Sequence, residues 1–203
     1  MLTKWSVQDL KKFEAQVADM FNQGGIKAPV HLSDGNEAQL LEIFKNIKAE
    51  DWVFCSWRSH YQCLLKGVPP EELLSEIKAG RSISLGFPEH KIFSSAIVGG
   101  QVPIAVGTAF AEKLKKTGNH VWCFIGDMTA ETGIAQTSIR YAERHDLPIT
   151  FVIEDNGISV LTDTRKVWAS ETLRFDETKS EKVHVYQYKS KYTHAGAGVR
   201  VQF

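Results

Sequence analysis

The sequence predicts an α/β fold in three layers, with a mostly parallel β-sheet that carries helices on both faces. Two apolar runs, residues 121–125 and 149–153, have the composition of strands, and each one ends in polar residues. A helical pattern over residues 131–145 lies between them. In a strand–helix–strand unit, the helix joins two parallel neighbouring strands by a right-handed crossover. Mostly parallel sheets are built from such units.

Apolar periodicity, helix caps and chain breakers predict the remaining elements. Helices are expected over residues 6–21, 36–48, 70–80 and 99–116, the last of them largely buried. Residues 51–57 are expected to form a short strand or a buried turn, and residues 183–188 a strand. Residues 81–95 lack periodicity and are expected to form a loop.

Length and composition favour one protein domain that does not bind nucleic acid. A chain of 203 residues can build one sizeable core but not comfortably two. We therefore expect a single domain over residues 1–203, with a helical segment over 1–30 and a divergent tail over 163–203. The 24 basic and 24 acidic residues balance and form no long block, which argues against nucleic acid or an anionic membrane as a partner.

The cysteines and the apolar segments indicate a soluble cytoplasmic protein. Cys55, Cys63 and Cys123 are odd in number and lack a CxxC spacing, so we expect reduced thiols. The N-terminus is amphipathic and of mixed charge, without the apolar core of a secretion signal. The longest apolar stretch, residues 96–111, is too short to span a membrane and contains glycines and a proline.

Oxygen-bearing side chains follow both predicted strands of the crossover unit. Asp127 comes directly after the first strand, and Asp155 and Asn156 come after the second. If the strands are parallel neighbours, these side chains meet at the carboxyl edge of the sheet, where ligands bind. A carboxylate and an amide suit a magnesium ion shared with a diphosphate. Spacing alone leaves a second interpretation open, because Asp and Asn also cap helices and form turns in any such domain.

Four sequence blocks extend this pattern to a known family. The segment from Gly126 to Asn156 resembles the thiamine diphosphate fingerprint, which is Gly-Asp-Gly followed by Asn-Asn. The blocks HLSDGNEA at 31–38, WRSH at 57–60 and IVGGQVP at 97–103 are similar to segments of the alpha subunit of thiamine diphosphate-dependent 2-oxo acid dehydrogenases. The resemblance covers residues from about 31 to 160, in the family's order.

The resemblance implies thiamine diphosphate and Mg²⁺ as cofactors. Asp127 and Asn156 would bind the metal through side chains and Ile158 through its backbone carbonyl, while Arg58 would grip the diphosphate. Ala96 and Val98 match positions that contact the aminopyrimidine ring through backbone atoms. The complete set of cofactor-binding positions that the resemblance implies is His31, Trp57, Arg58, Ala96, Val98, Gly126, Asp127, Met128, Thr129, Asn156 and Ile158.

Two histidines match catalytic positions of the family. His60 lies in the WRSH block, and His194 falls in a segment, YTHAG, that is similar to a remnant of the family's histidine-rich catalytic loop. Each of these histidines, and His31, also has a purely structural interpretation. Arg58 likewise could be a surface residue that caps a helix.

The chain departs from the family pattern at three places. Met128 replaces the second glycine of Gly-Asp-Gly, so if this position needs a positive φ, either the backbone is strained by about 1 kcal/mol or the turn differs. Trp57 replaces a common tyrosine, and only 47 residues follow Asn156, so the chain resembles a family member shortened at its C-terminus.

The predicted function is that of one subunit of a two-chain enzyme. In the family, the carboxylate that activates the cofactor comes from a separate beta subunit, so the resemblance implies an α2β2 assembly that acts on a small 2-oxo acid and passes on the acyl or aldehyde unit. Two alternatives stay open: the N-terminal subunit of a split transketolase-like enzyme, and a degenerate, non-catalytic subunit that binds the cofactor as a scaffold. A nicotinamide-binding domain is disfavoured because no strand is followed by GxGxxG.

Overall fold

The computed structural model of the chain describes residues 5–177, 180–192 and 194. Within this part, the chain forms two compact units. The first contains the described parts of Met1–Ala49, Trp57–Ala96 and Lys189–Phe203, and the second contains those of Glu50–Ser56 and Ile97–Tyr188. The single domain over residues 1–203 stays a prediction.

The helices and strands alternate along most of the chain. The helices are α1 (Val7–Asn22), α2 (Glu37–Phe44), α3 (His60–Leu65), α4 (Pro70–Lys78), α5 (Gln101–Lys115), α6 (Asp127–Ala130), α7 (Gly133–Arg144), α8 (Thr164–Trp168) and α9 (Arg174–Glu177). The strands are β1 (Trp52–Ser56), β2 (Gly86–Phe87), β3 (Ile92–Ser95), β4 (Val121–Gly126), β5 (Ile149–Asp155), β6 (Ile158–Ser159), β7 (Thr162–Asp163) and β8 (Val183–Gln187).

The second unit is built on parallel strands in the order β1, β4, β5, β8. The β4 and β5 strands pair from Val121 with Ile149 to Gly126 with Glu154, so they end at the same level. Both strands are nearly continuous apolar runs, as expected for parallel strands buried on both faces. The predicted α/β fold with a mostly parallel sheet and surrounding helices is confirmed.

Helix α5 packs on this sheet, and α7 packs on α5. The α5 helix lies against β1, β4 and β5 and contacts them through small and branched residues, among them Val102, Ala105 and Ala109. The α7 helix begins where the Thr132 hydroxyl accepts a hydrogen bond from the Ala135 N–H, and it buries Ile139 and Ala142. The crossover from β4 through α7 to β5 is therefore the unit that the sequence predicts.

The first unit is mainly helical. The α1 helix starts with a capping box in which Ser6 and Asp9 each bond the other's backbone N–H, and it buries Leu10, Phe13 and Val17. Helices α1 to α4 pack in succession, each on the next. Strands β2 and β3 form a short antiparallel hairpin.

Three predicted elements differ from the structure. The helix expected over 36–48 ends at Phe44, and the loop expected over 81–95 contains the β2–β3 hairpin, which is too short for its alternation to be visible. The helix expected from 99 begins at Gln101, because Gly99 has a φ of +73°. That helix is also less buried than expected, since Ile104 and Leu114 are exposed on one face.

No helix in the described part of the chain combines the length and the apolar character needed to cross a bilayer. The cytoplasmic location stays a prediction.

Gly99 is a position where only glycine fits. Its φ of +73° is unfavourable for any residue with a Cβ, and a Cβ placed there lies 2.8 Å from Ile134 Cγ2. We expect Gly99→Ala to lower the free energy of unfolding by about 2 kcal/mol, because strain and overpacking add. Gly107→Ala is the matched control: Gly107 lies within α5, and a Cβ added there would meet nothing within 4 Å. It should raise stability by about 0.5 to 1 kcal/mol. Urea unfolding of both variants tests the pair, and equal midpoints would contradict this account of Gly99.

Candidate functional site

Two carboxylates stand at the carboxyl ends of β4 and β5. Gly126 pairs with Glu154, so Asp127 and Asp155, the next residues, follow at the same level of the sheet. Asp127 is the first residue of α6, which packs against β4, β5 and β6. The predicted juxtaposition of the two strand ends is therefore present in the second unit.

Asp127 is a buried carboxylate with one oxygen left unsatisfied. The residue is 3% exposed, and its Oδ2 has no hydrogen-bond partner among the described residues. Burial is the main cause that raises the pKa of Asp127 above its ordinary value, and the Asp155 charge raises it further. The nearby Thr164 hydroxyl lowers the pKa of Asp127. Thr164 Oγ1 itself forms no hydrogen bond of good geometry with any described residue. A buried carboxylate oxygen of this kind is a candidate cation ligand.

Asp155 is held by an internal cation. Arg165 donates to both Asp155 oxygens, at 2.7 Å from Nη2 and 3.3 Å from Nη1, and the Gln187 amide donates at 3.2 Å. Burial by itself raises the pKa of Asp155, but the hydrogen bonds from Arg165 and Gly157, together with the Arg165 charge, bring it below its ordinary value. Asp155 is therefore an anion whose charge is already balanced.

Arg165 also fixes the segment that follows the strand end. Its Nε donates to the Glu171 carbonyl at 3.1 Å, and its Nη2 lies 3.5 Å from Asp176. Arg165 is in α8, so one guanidinium links this helix, the loop after it and the end of β5.

Asn156 and Ile158 form a turn directly after β5. Asn156 Oδ1 accepts a hydrogen bond from the Ile158 N–H at 3.0 Å, and the amide oxygen keeps a second lone pair. Ile158 is the first residue of the short β6–β7 hairpin, and its side chain is exposed. Metal ligation by Asn156 and by the Ile158 carbonyl stays a prediction.

Met128 occupies a helical position and not a left-handed one. It lies within α6 and is absent from the non-glycine residues with positive φ in the described chain. The turn therefore differs from one that requires glycine, and no strain arises at this position. Met128 Sδ accepts a hydrogen bond from Trp168 Nε1 at 3.3 Å, which joins α6 to α8. Thr129 follows it and is buried, and Gly126, two residues before it, is half-buried.

Four of the predicted residues form a cluster in the first unit. The rings of His31 and His194 have centroids 4.4 Å apart, and Trp57 lies 5.9 Å from His31 and 6.3 Å from His194. Arg58 donates from Nε to the Leu32 carbonyl at 2.9 Å, and no other hydrogen bond holds its guanidinium among the described residues. Its terminal nitrogens can therefore bind an anion.

His31 is a neutral histidine with a defined tautomer. Burial, followed by the charges of Arg58 and His194, lowers the pKa of His31 to about 3. Its Nδ1 contacts the His194 carbonyl, which can only accept, so Nδ1 carries the proton and Nε2 has a free lone pair. Burial and Arg58 also lower the pKa of His194.

His60 is enclosed, and both of its ring nitrogens are engaged. Nδ1 lies 2.9 Å from Glu14 Oε2 and Nε2 lies 2.9 Å from Ser82 Oγ, while the residue is 0% exposed. Glu14 also accepts the Ser33 N–H at 2.8 Å, so it ties α1 to the HLSDGNEA block. This is the geometry of a positioned structural histidine. The catalytic role of His60 stays a prediction.

Ala96 and Val98 are exposed, and their backbone contact with the aminopyrimidine ring stays a prediction. Glu154, in contrast, is buried and accepts a hydrogen bond from the Tyr186 hydroxyl at 2.5 Å. This bond agrees with a structural role for Glu154 and not with a metal-ligand role.

A family comparison gives these features their context. The model of the family described as Dehydrogenase E1 component matches residues 6–180. The chain belongs to this family.

Similar curated proteins are alpha subunits. The pyruvate dehydrogenase E1 component subunit alpha of Rickettsia prowazekii is 30% identical over 167 residues, which cover 77% of this chain and 51% of the relative. The same subunit of Zymomonas mobilis is 29% identical over 81% of this chain and 49% of its own length. The alpha subunit of the acetoin:2,6-dichlorophenolindophenol oxidoreductase of Bacillus subtilis is 29% identical over 76% of this chain and 49% of its own length. The chain thus spans about half the length of the curated relatives it matches.

Several residues that contact the predicted site residues have no signal in the sequence. Arg165 lies ten positions after its partner Asp155, on a different element, and Glu14 and Ser82 are far from His60 along the chain. An arginine in a polar stretch is too common for the sequence alone to identify Arg165 as the partner of Asp155. Arg165, Glu14 and Ser82 are recognised only from their contacts in the folded chain.

The depressed pKa of His31 predicts an acid-sensitive fold. The unfolded histidine takes up a proton near its ordinary pKa of 6.5, whereas the folded one stays neutral down to about 3. The unfolded state therefore binds more protons in this window, and stability falls as the pH drops below 6.5. Between about pH 7.5 and pH 5, the wild type should lose about 2 kcal/mol more than His31→Gln, in which glutamine can still donate to a carbonyl. Urea unfolding over this pH range measures the difference. Parallel stability curves for the two proteins would exclude a buried neutral His31.

Proposed function

We propose that this chain is the diphosphate- and Mg²⁺-binding portion of a thiamine diphosphate-dependent 2-oxo acid dehydrogenase. The observation that carries the proposal is the buried, unsatisfied Asp127 oxygen at the end of β4, beside Asp155 and close to the Asn156 turn. Family membership supports the same cofactor chemistry.

The charges around Asp127 fit a divalent cation. Asp127 and Asp155 contribute two negative charges and Arg165 one positive charge. Because Arg165 satisfies Asp155, Asp127 is the carboxylate left to bind a metal. Mg²⁺ usually takes one or two carboxylates and completes its shell with phosphate and water oxygens. The cluster would then carry an excess positive charge that attracts a diphosphate.

Asn156 would provide the second ligand and Ile158 the third. The Asn156 oxygen uses one lone pair for the Ile158 N–H, and this bond fixes the amide so that the remaining lone pair points in one direction. A pre-oriented ligand loses little entropy when it binds a metal.

Arg58 is proposed to bind diphosphate oxygens through its terminal nitrogens. The Nε bond to the Leu32 carbonyl holds the guanidinium plane in place. A fixed planar fork meets two phosphate oxygens at once, which a lysine cannot do.

Thiamine diphosphate, when bound, supplies the carbanion and the electron sink. The residues of this chain would bind and orient it and move protons. Nε2 of His31 carries the free lone pair of a neutral ring, so it can accept a hydrogen bond. Both ring nitrogens of His60 already have partners, Glu14 and Ser82, so neither is open to a ligand.

The proposed partner is a separate beta subunit in an α2β2 assembly, and activity would require it. A small 2-oxo acid is the proposed substrate class. The family assignment favours this enzyme over a split transketolase. The engagement of both His60 nitrogens favours a second candidate, a cofactor-binding subunit without catalytic activity.

Titration of the full chain with Mg²⁺ and thiamine diphosphate tests the proposal. At about 100 times the dissociation constant, ligand binding should add about 2.7 kcal/mol to the unfolding free energy. Asp127→Asn should abolish this gain, and it should itself be more stable than the wild type without ligand, because it removes a buried charge next to Asp155. Calorimetry and thermal unfolding measure both effects.

Asp146→Asn is the matched control, since Asp146 is an exposed carboxylate that precedes β5, at the opposite end of the strand. It should keep the full ligand-induced gain. Binding that is indifferent to Asp127→Asn would overturn the proposed metal site. Binding without turnover, when a beta subunit of the family is added, would decide for the non-catalytic candidate.

A further inference from the structure

A groove with several arginines lies on the second unit, on the outer face of α7. Its volume is about 590 Å³, which is within the range of small-molecule sites. Arg140 and Arg144 line it from successive turns of α7, and Arg174 lines it from the start of α9. The buried side chains of Ile139 and Phe175 form its apolar floor.

The groove has an excess of positive charge. Three guanidinium groups face one carboxylate, that of Glu143, and the Ser180 hydroxyl already donates to this carboxylate at 2.5 Å. Arg174 interacts with Glu131, whose carboxylate accepts the Arg174 N–H at 3.0 Å. Arg140 and Arg144 form no hydrogen bond or ion pair with any side chain that the structure describes.

Helix stability does not account for both arginines. Arg144 is in the last turn of α7, where a cation interacts favourably with the helix dipole. Arg140 is one turn earlier, on the same face, and gains nothing from the helix terminus. Two like charges at i and i+4 repel each other, and Glu143, at i+3 from Arg140, is the one carboxylate beside them in the groove. A bound anion would remove the remaining repulsion.

The geometry suits a phosphate group better than a single carboxylate. Side chains four apart on a helix are neighbours, so both guanidinium forks can reach one anion. A tetrahedral phosphate offers three oxygens and close to two negative charges at neutral pH, and each fork can bind two oxygens. The exposed Thr137 side chain lines the same groove and provides a hydroxyl donor.

From this arrangement we infer that the groove is a binding site for a small phosphate monoester, held by Arg140 and Arg144 with Arg174 at its rim. The site is separate from the residues that bind diphosphate in the proposed function. It does not depend on Mg²⁺.

Calorimetric titration with glycerol 2-phosphate tests this site. The full chain is titrated at about 0.15 M NaCl without Mg²⁺, so that unspecific charge effects are screened and the proposed metal site is not loaded. We expect one site with a dissociation constant on the order of 1 mM or below. Arg140→Gln with Arg144→Gln should weaken binding roughly tenfold or more, since each lost charge-assisted bond contributes that much. Glutamine is a good helix former, so α7 is retained.

Two further variants separate this site from general charge and from the metal site. Lys115→Gln with Lys166→Gln removes the same charge from exposed positions of the same unit and should bind glycerol 2-phosphate like the wild type. Asp127→Asn should also bind normally, so failure of the proposed function leaves this test intact. Thr137→Glu places a carboxylate in the groove without removing an arginine and should abolish binding.

Arginine side-chain NMR identifies the groups that respond. The Nε–H signals of Arg140 and Arg144, assigned from the single variants, should shift on addition of glycerol 2-phosphate and not of glycerol. Two results would overturn the site. One is the absence of a saturable shift at a glycerol 2-phosphate concentration roughly 20 times the expected dissociation constant. The other is equal binding by the lysine double variant and the arginine double variant. Tighter binding of succinate, or of an acidic hexapeptide, overturns the phosphate assignment.

Discussion

Parallel pairing of β4 with β5 is the constraint on which the rest of the second unit depends. The register that joins Gly126 to Glu154 brings the next two residues, Asp127 and Asp155, to one edge of the sheet. Both are buried, and neighbouring carboxylates raise each other's cost of ionisation. The cost of this arrangement is reduced because Arg165 neutralises the charge of Asp155. The same ion pair holds α8 at the end of β5. At this edge, the strand register, the conformation of the following loop and the charge balance therefore depend on one another.

Electrostatics also organises the first unit, but with the opposite sign. There the available groups are cationic or neutral: Arg58 has unbonded terminal nitrogens, and burial keeps His31 uncharged. The acidic Glu14 is engaged by His60 and the Ser33 N–H. The first unit thus leaves the terminal nitrogens of a guanidinium open, and the second leaves one oxygen of a buried carboxylate unsatisfied.

The sequence predicts the parts of this structure that depend on local pattern. The apolar runs of β4 and β5, the cap of α7 and the Ser6 cap of α1 are all legible, because strand burial and helix capping act over a few residues. The family resemblance predicts the family and singles out Asp127. It does not predict which residue pairs with each charged side chain. Arg165, Glu14 and Ser82 acquire their roles only when the chain folds, since nothing local distinguishes them from surface residues. The β2–β3 hairpin escapes sequence analysis for a related reason: a two-residue strand such as β2 has no period to detect.

Met128 shows how a local rule can mislead at a functional turn. A residue that replaces glycine suggests strain, yet residues 127–130 form a helical turn, in which methionine is favourable. The side chain then contacts the Trp168 indole at the end of α8, the same helix that contributes Arg165. Two contacts, one ionic at Asp155 and one at Met128, therefore hold α8 against the two strand ends. A glycine would provide only the backbone here, whereas Met128 adds a side-chain contact between α8 and the turn that begins at Asp127. Because this turn is helical, the departure from the family pattern introduces no strain next to the candidate metal ligand.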